Sequence, residues 1–385
     1  MKKTRMKING TIVSINPMSE KKKTKQDKAT WQDHPEITLA AKGDITKIMS
    51  PGTKRHQSLK GFDEDYVDIV DYIIRCTHKI WEEKGVGVIY SHYGHNIPIW
   101  TTEGLTYGCE IVVENTLKTQ AAFPDVRLIG DEVLWSGNDE DGFHTSHRIT
   151  WVAHNTGYSL YGPPTGRRIV RTGIANCFVR ENKIIEEWIA RDEIAVVKQL
   201  GYDPIETARR LAQQGPVPGV KPHEHGEFER LGGQMPPADM PPKEEGMADI
   251  EYFMRRLFHE VWNQRLLNKI DIYHDKNYIC HTNSARHLYG LGALKGVVLS
   301  LLGAFPNAVM TVDHFYAMGS ADKGYTTMTR WSLQGTHKGN GAYGPPTGKP
   351  FYLMGISHHR VKDGKCLEEW TYFDEFALLK QLYAE

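Results

Sequence analysis

Tyr161-Gly162-Pro163-Pro164-Thr165-Gly166 returns letter for letter as Tyr343-Gly344-Pro345-Pro346-Thr347-Gly348. Downstream of each copy, at one constant offset, come Glu186-Glu187-Trp188 and Glu368-Glu369-Trp370, then Asp192-Glu193 and Asp374-Glu375, then Lys198-Gln199-Leu200 and Lys380-Gln381-Leu382. Upstream, the same register pairs Arg148 with Arg330, Ala122-Phe123-Pro124 with Ala304-Phe305-Pro306, and Tyr107-Gly108 with Tyr289-Gly290. A period this long exceeds the roughly 20–50 residues of solenoid repeats, so a whole domain is present twice.

Working outward, the repeats occupy about 63–202 and 248–385. Each is long enough to bury its own core. Residues 1–62 are polar, with the run Lys21-Lys22-Lys23-Thr24-Lys25, and are expected to form a flexible or draped arm. Residues 203–247, rich in proline and glycine, read as an extended interdomain linker. Within each repeat an apolar stripe at helical spacing comes first: Tyr66 to Trp81 behind Asp65, and Ile250 to Trp262 behind Asp249. A second helix ends at Phe123-Pro124 or Phe305-Pro306, since the residue before proline avoids the helical region. The period then changes to two over 125–136, 143–154, 168–179 and 183–191, with turn residues between, Asp363-Gly364 being the strongest hairpin signal. A short terminal helix closes each unit. Helices followed by an antiparallel meander predict an α+β fold enclosing a cone-shaped hollow.

This order of elements, with Gly-Pro-Pro-Thr-Gly, a glycine on the next strand (Gly173, Gly355) and the closing Glu-Glu-Trp, Asp-Glu and Lys-Gln-Leu, resembles the SnoaL-like polyketide cyclase family of the nuclear-transport-factor-2-like superfamily. The resemblance covers both repeats and implies two tandem cystatin-like cone domains. It also implies ring closure by an intramolecular aldol step without metal or organic cofactor, with an aspartate near the end of the last strand as acid/base. The matching positions are Asp192 and Asp374. Single-repeat relatives pair through their sheets, which implies an intramolecular pseudo-dimer here, with a further homodimer open.

Taking a proton from carbon beside a carbonyl needs a base in an apolar pocket and a donor for the enolate oxygen. Alternate positions of the last strand place Trp188 with Asp192, and Trp370 and Tyr372 with Asp374, on one face. The carboxylates could equally cap the helix that follows each of them. Arg148 and Arg330 are candidate oxygen contacts, or else ion-pair formers. His358 stands where the first repeat has Asn176, and would partner an aspartate in the second repeat alone. Tyr90, His92 and Tyr273 lie between the first two helices and are candidate contacts at the cavity mouth. Three functions remain open: a cyclase or isomerase acting on a small carbonyl-bearing or cyclic molecule, a non-catalytic binder of an apolar ligand or partner, and an epoxide or ester hydrolase.

Composition narrows the classes. With 47 basic and 47 acidic side chains there is no global field to recruit nucleic acid or an anionic membrane. No apolar run of membrane-spanning length and no leader pattern is present, so a cytoplasmic protein is expected. The 5 cysteines are scattered without Cys-x-x-Cys, and read as buried small hydrophobes. His92-x-x-His95 and His144-x-x-His147 lack the company of ligands that a metal site requires, and neither a metal nor an organic cofactor is expected.

Overall fold

The computed structural model describes residues 5–8, 11–14, 37–39, 48–215, 217–223 and 240–384. The run 21–25 and most of the expected arm lie outside them, as do residues 224–239 of the linker. A hairpin of β1 (Arg5–Ile8) and β2 (Thr11–Ser14) pairs only with itself.

The first half contains α1 (Ile69–Trp81), α2 (Val88–His92), β3 (Pro98–Thr101), β4 (Gly104–Tyr107), α3 (Cys109–Ala122), β5 (Arg127–Asn138), β6 (Gly142–His154), β7 (Arg168–Arg180), β8 (Lys183–Arg191) and α4 (Glu193–Leu200). After α5 (Pro204–Ala212) the second half repeats the order: α6 (Asp249–Phe258), α7 (Ile270–Tyr273), β9 (His274–Thr282), β10 (Arg286–Tyr289), α8 (Gly290–Ala304), β11 (Val309–Ser320), β12 (Gly324–Thr336), β13 (Pro350–Lys362), β14 (Lys365–Phe373) and α9 (Glu375–Tyr383). The fold is α+β, in two halves of one architecture.

Each sheet has six strands, in the orders β4-β3-β8-β7-β6-β5 and β10-β9-β14-β13-β12-β11. The expected four-stranded meander is there, widened by a hairpin whose first strand runs parallel to β8 or β14. These short strands lie in the stretch read only as a connection between helices. The β7–β8 and β13–β14 turns place Glu181, Asn182, Asp363 and Gly364 at positive φ, as a two-residue hairpin of matching twist requires. The first helix is capped by Asp68, whose Oδ1 accepts Asp71 N at 2.8 Å, and not by Asp65. In the second half α6 runs on through one π turn, His259–Asn263.

The repeated motifs are structural ties. Tyr161 Oη donates to Glu193 at 2.7 Å, and Tyr343 Oη to Glu375 at 2.9 Å, fastening the proline turn to the terminal helix. Gln199 bonds both the N–H and the C=O of Val170, and Gln381 does the same for Tyr352, fastening that helix to the sheet.

Two stretches differ from expectation. Ile37, Ile48, Leu59 and Phe62, from the presumed arm, are buried in the first half's core. Linker residues 204–212 form α5, whose Ala208 and Leu211 are buried in a core cluster drawn from both halves and whose Arg209 guanidinium lies 4.6 Å from the Tyr383 ring. In both places a few apolar side chains at the right spacing outweigh a polar composition.

The halves pack sheet against sheet, with Tyr316, Met318, Met328, Ile356 and Tyr372 joining the first half's core cluster. Both faces of each sheet are thus covered, one by its own helices and one by the other half.

Candidate active site

In the second half the helices and the inner face of the sheet leave a hollow with about 70 Å³ open to the centres of water-sized molecules, several times the roughly 10–15 Å³ that one water needs. Leu257, Phe258, Val261 and Trp262 wall it on one side, Leu294, Val297, Val298 and Leu301 of α8 on another, and Met310, Leu333, Leu353 and Phe373 at the base. Into this apolar enclosure the sheet sends His359, Glu369, Ser357, Thr371, Trp331, Cys280, Thr282 and His274.

His359 on β13 and Glu369 on β14 are register partners. The imidazole Nε2 lies 3.4 Å from Glu369 Oε1. The other carboxylate oxygen accepts the Tyr278 hydroxyl. His359 is 1% exposed, and its Nδ1 has no hydrogen-bond partner in the protein. Burial holds this imidazole below its ordinary pKa, with Glu369 pulling the other way, so at neutral pH it is an uncharged base. Phe258 meets its ring edge-on at 6.2 Å. His274, also on the wall, donates from Nδ1 to Ile270 O at 3.0 Å, and burial lowers it to about 4. One pleat from the His359–Glu369 pair, Trp331 Nε1 donates to Ser357 Oγ at 3.0 Å, and Ser357 Oγ lies 2.7 Å from Thr371 Oγ1. Gly355 makes room for that indole: an added Cβ would come within 2.0 Å of Trp331.

The first half keeps only part of this. Cys177 faces Glu187 in the same register, its Sγ 3.9 Å from the carboxylate. Burial pushes Glu187 up to about 7, and pushes the Cys177 thiol well above its ordinary value. Ile149, Ala175 and Ile189 stand where the second half has Trp331, Ser357 and Thr371.

None of the candidate site residues named from the sequence lines the hollow. Asp192 caps α4, accepting Ala195 N at 3.2 Å, and also reaches across to the turn after β9, accepting Ser284 N at 2.8 Å and Ala285 N at 3.0 Å. Asp374 caps α9 through Ala377 N at 2.8 Å. Burial, with the neighbouring carboxylates of Glu193 and Glu103, pushes Asp374 up to about 8. Trp188, Trp370, Tyr372, Arg148, Arg330 and His358 lie between the two sheets. The Arg330 guanidinium sits 3.6 Å from the Trp188 ring centre and Arg148 4.3 Å from that of Trp370. Tyr372 is buried in the first half's core cluster. His358 spans the interface from Ser146 Oγ at 2.6 Å to Glu132 Oε2 at 3.0 Å. Burial raises Glu132, but His358 and Arg360 outweigh it and hold the carboxyl at about 2. His92 bonds Tyr66 Oη at 2.7 Å in the first half's interior, Tyr273 donates to Glu260 at 2.9 Å behind the wall, and Tyr90 is 55% exposed on the surface.

The physical reason is a reversed face. The aromatic-rich side of β14 looks like the inside of a cone, but it is the seam between halves, and the hollow takes the alternate residues Glu369, Thr371 and Phe373. A signal for the hollow's face was present: at constant offset, His359, Ser357, Thr371 and Trp331 are polar where the first repeat has Cys177, Ala175, Ile189 and Ile149.

Among the described residues no three His, Cys, Asp or Glu side chains converge to hold a metal ion, and no helix is long and apolar enough to cross a membrane. Residues 253–382 match the SnoaL-like polyketide cyclase family. No curated protein matches the chain. Solved structures similar to parts of it include a candidate SnoaL-like polyketide cyclase from Jannaschia sp. CCS1, at 18% identity over 39% of this chain and 99% of that one, TM-score 0.32. Others are a candidate polyketide cyclase from Acidithiobacillus ferrooxidans (21%, covering 37% and 100%, TM-score 0.32) and IdmH, a candidate polyketide cyclase from Streptomyces antibioticus (23%, covering 35% and 99%, TM-score 0.30). The second half, which carries both the sequence match and the hollow, is thus similar to the SnoaL-like polyketide cyclase family over residues 253–382, and the first half repeats the same architecture.

Proposed function

We propose that the second half is a cofactor-free acid/base enzyme of the cyclase or isomerase type, acting on a small carbonyl-bearing molecule held in the hollow. The observation that carries this reading is the buried, unpartnered Nδ1 of His359 on an apolar wall, with Glu369 behind the opposite nitrogen. In the proposed step the C–H bond beside the carbonyl breaks, its proton goes to His359 Nδ1, and the electron pair moves to the carbonyl oxygen. The imidazolium so formed faces the Glu369 carboxylate, an arrangement that stabilises the charge as it develops. Returning the proton to another carbon completes an isomerisation. Attack of the enolate carbon on a second carbonyl of the same molecule, with the proton passed to the new alkoxide, completes ring closure.

The test is exchange of α-protons for deuterium in a panel of small cyclic ketones, followed by proton NMR. The wild-type protein is expected to catalyse exchange, and His359→Gln to lose it by about 10²-fold or more. Ketones that bind but exchange at equal rates with both proteins would remove catalysis and leave a binding role, which the largely apolar lining would also suit.

A further inference from the structure

We infer that Thr371, fed by Ser357 and Trp331, is the hydrogen-bond donor that receives the substrate's carbonyl oxygen, and that the substrate is therefore a neutral carbonyl compound, not a carboxylate or phosphate. This rests on the proposed reaction and adds its second half: a base alone leaves the enolate oxygen unsupported.

The first step of the donor order follows from chemistry. Indole N–H can only donate, so Trp331 gives its proton to Ser357 Oγ at 3.0 Å. The Ser357 hydroxyl keeps its hydrogen and a second lone pair, so either hydroxyl can donate to the other across 2.7 Å; in the proposed arrangement Ser357 donates to Thr371 Oγ1. The Thr371 hydroxyl hydrogen is then the free end of the chain, at the wall of the hollow. Hydrogen bonds in series polarise one another, so this end is a better donor than an isolated threonine.

Its placement matches the base. Ser357 pairs with Thr371 and His359 with Glu369 across β13 and β14, so donor and base stand one pleat apart on one face, about 7 Å along the strands. A carbonyl oxygen at Thr371 and a C–H at Nδ1 of His359 fit between them with one hydrogen bond at each end.

The fold does not require this chain of donors. In the first half Ile149, Ala175 and Ile189 fill the three positions, and Cys177 replaces the base. Donor chain and base are present together in one half and absent together from the other, as parts of a single device would be. No lysine or arginine lines the hollow, while Glu369 does. An anionic substrate would enter an apolar space facing a carboxylate with no counter-charge, a costly burial.

The experiment compares three ring probes of similar size, 2-naphthol as a mimic of the enol, naphthalene, and 2-naphthoate, with affinity read from tryptophan fluorescence. Wild type is expected to bind 2-naphthol at least tenfold more tightly than 2-naphthoate. Thr371→Val and Ser357→Ala should weaken 2-naphthol by about tenfold and about threefold, leaving naphthalene unchanged. Both variants place an apolar side chain where the first half already has one, and unchanged naphthalene affinity certifies the hollow. Equal 2-naphthol affinity in wild type and Thr371→Val, tight 2-naphthoate binding, or no binding of any probe would overturn the inference. Deuterium exchange lost in His359→Gln but unaffected in Thr371→Val would overturn it while leaving the base reading intact.

Discussion

Asp374 shows how one carboxyl can cap a helix while its pKa is raised towards neutrality. Burial and nearby carboxylates raise it to about 8, which is where a general base is often found. Yet its oxygen caps α9 and its side chain is no part of the hollow's wall. For a carboxyl whose folded pKa is raised, stability is fully present below the unfolded value near 4 and is lost as pH climbs to about 8. Asp374→Asn keeps a capping oxygen and does not titrate. Denaturant unfolding at pH 5 and pH 8.5 is therefore expected to show the variant gaining on wild type as pH rises. A gain at low pH would contradict the assignment. His359 reads differently because it pairs burial with an empty nitrogen and an open space. Glu-Glu-Trp recurs in the sequence, but nothing in that recurrence says that His359 lies opposite Glu369 across the strands.

At the scale of the element, α8 covers the hollow with Leu294, Val297, Val298 and Leu301, yet carries glycine at 290, 292, 296 and 303. An added Cβ at Gly292, Gly296 or Gly303 would meet nothing within 4 Å, so packing does not explain these glycines. Gly290 differs, with φ of +78° at the start of the helix. Interior glycine costs a helix roughly 0.5–1 kcal/mol relative to alanine. Gly292→Ala, Gly296→Ala and Gly303→Ala should each add about that much to the unfolding free energy in a denaturant titration, whereas Gly290→Ala should lower it. The long helices, the four long strands and their turns are local matters that 3.6- and 2-residue periods reveal, whereas the short strands β3, β4 and β10 before α3 and α8 carry too few residues to show a period. What period two cannot reveal is which face of a strand looks inward when both faces are covered, as in β8 and β14.

For the whole molecule, Asp192 is one of the residues through which the first half grips the second. Its carboxylate accepts three backbone N–H groups, one from its own helix and two from the turn at Ser284 and Ala285. Asn283 ties that same turn to Phe373 at the end of β14 through Phe373 N, 3.2 Å from its Oδ1. Removing the carboxylate leaves the Ala195 amide buried without this partner and releases the partly buried contacts to Ser284 and Ala285. Asp192→Ala is expected to cost about 3 kcal/mol in denaturant unfolding, and to split one transition into two as the halves uncouple. A loss under about 1 kcal/mol with a single transition would show that the sheets hold together without it.

The sequence by itself determined that one α+β unit occurs twice, where its main helices and four long strands lie, and which family its signature resembles, because these follow from repetition, periodicity and turn chemistry within short reach along the chain. Only the tertiary structure decided that the tryptophan and arginine faces meet each other, that the two aspartates cap helices, and that His359, Glu369 and Thr371 share a hollow. Those outcomes depend on which surfaces two packed sheets choose to bury, and that is settled by contacts between residues far apart in the chain.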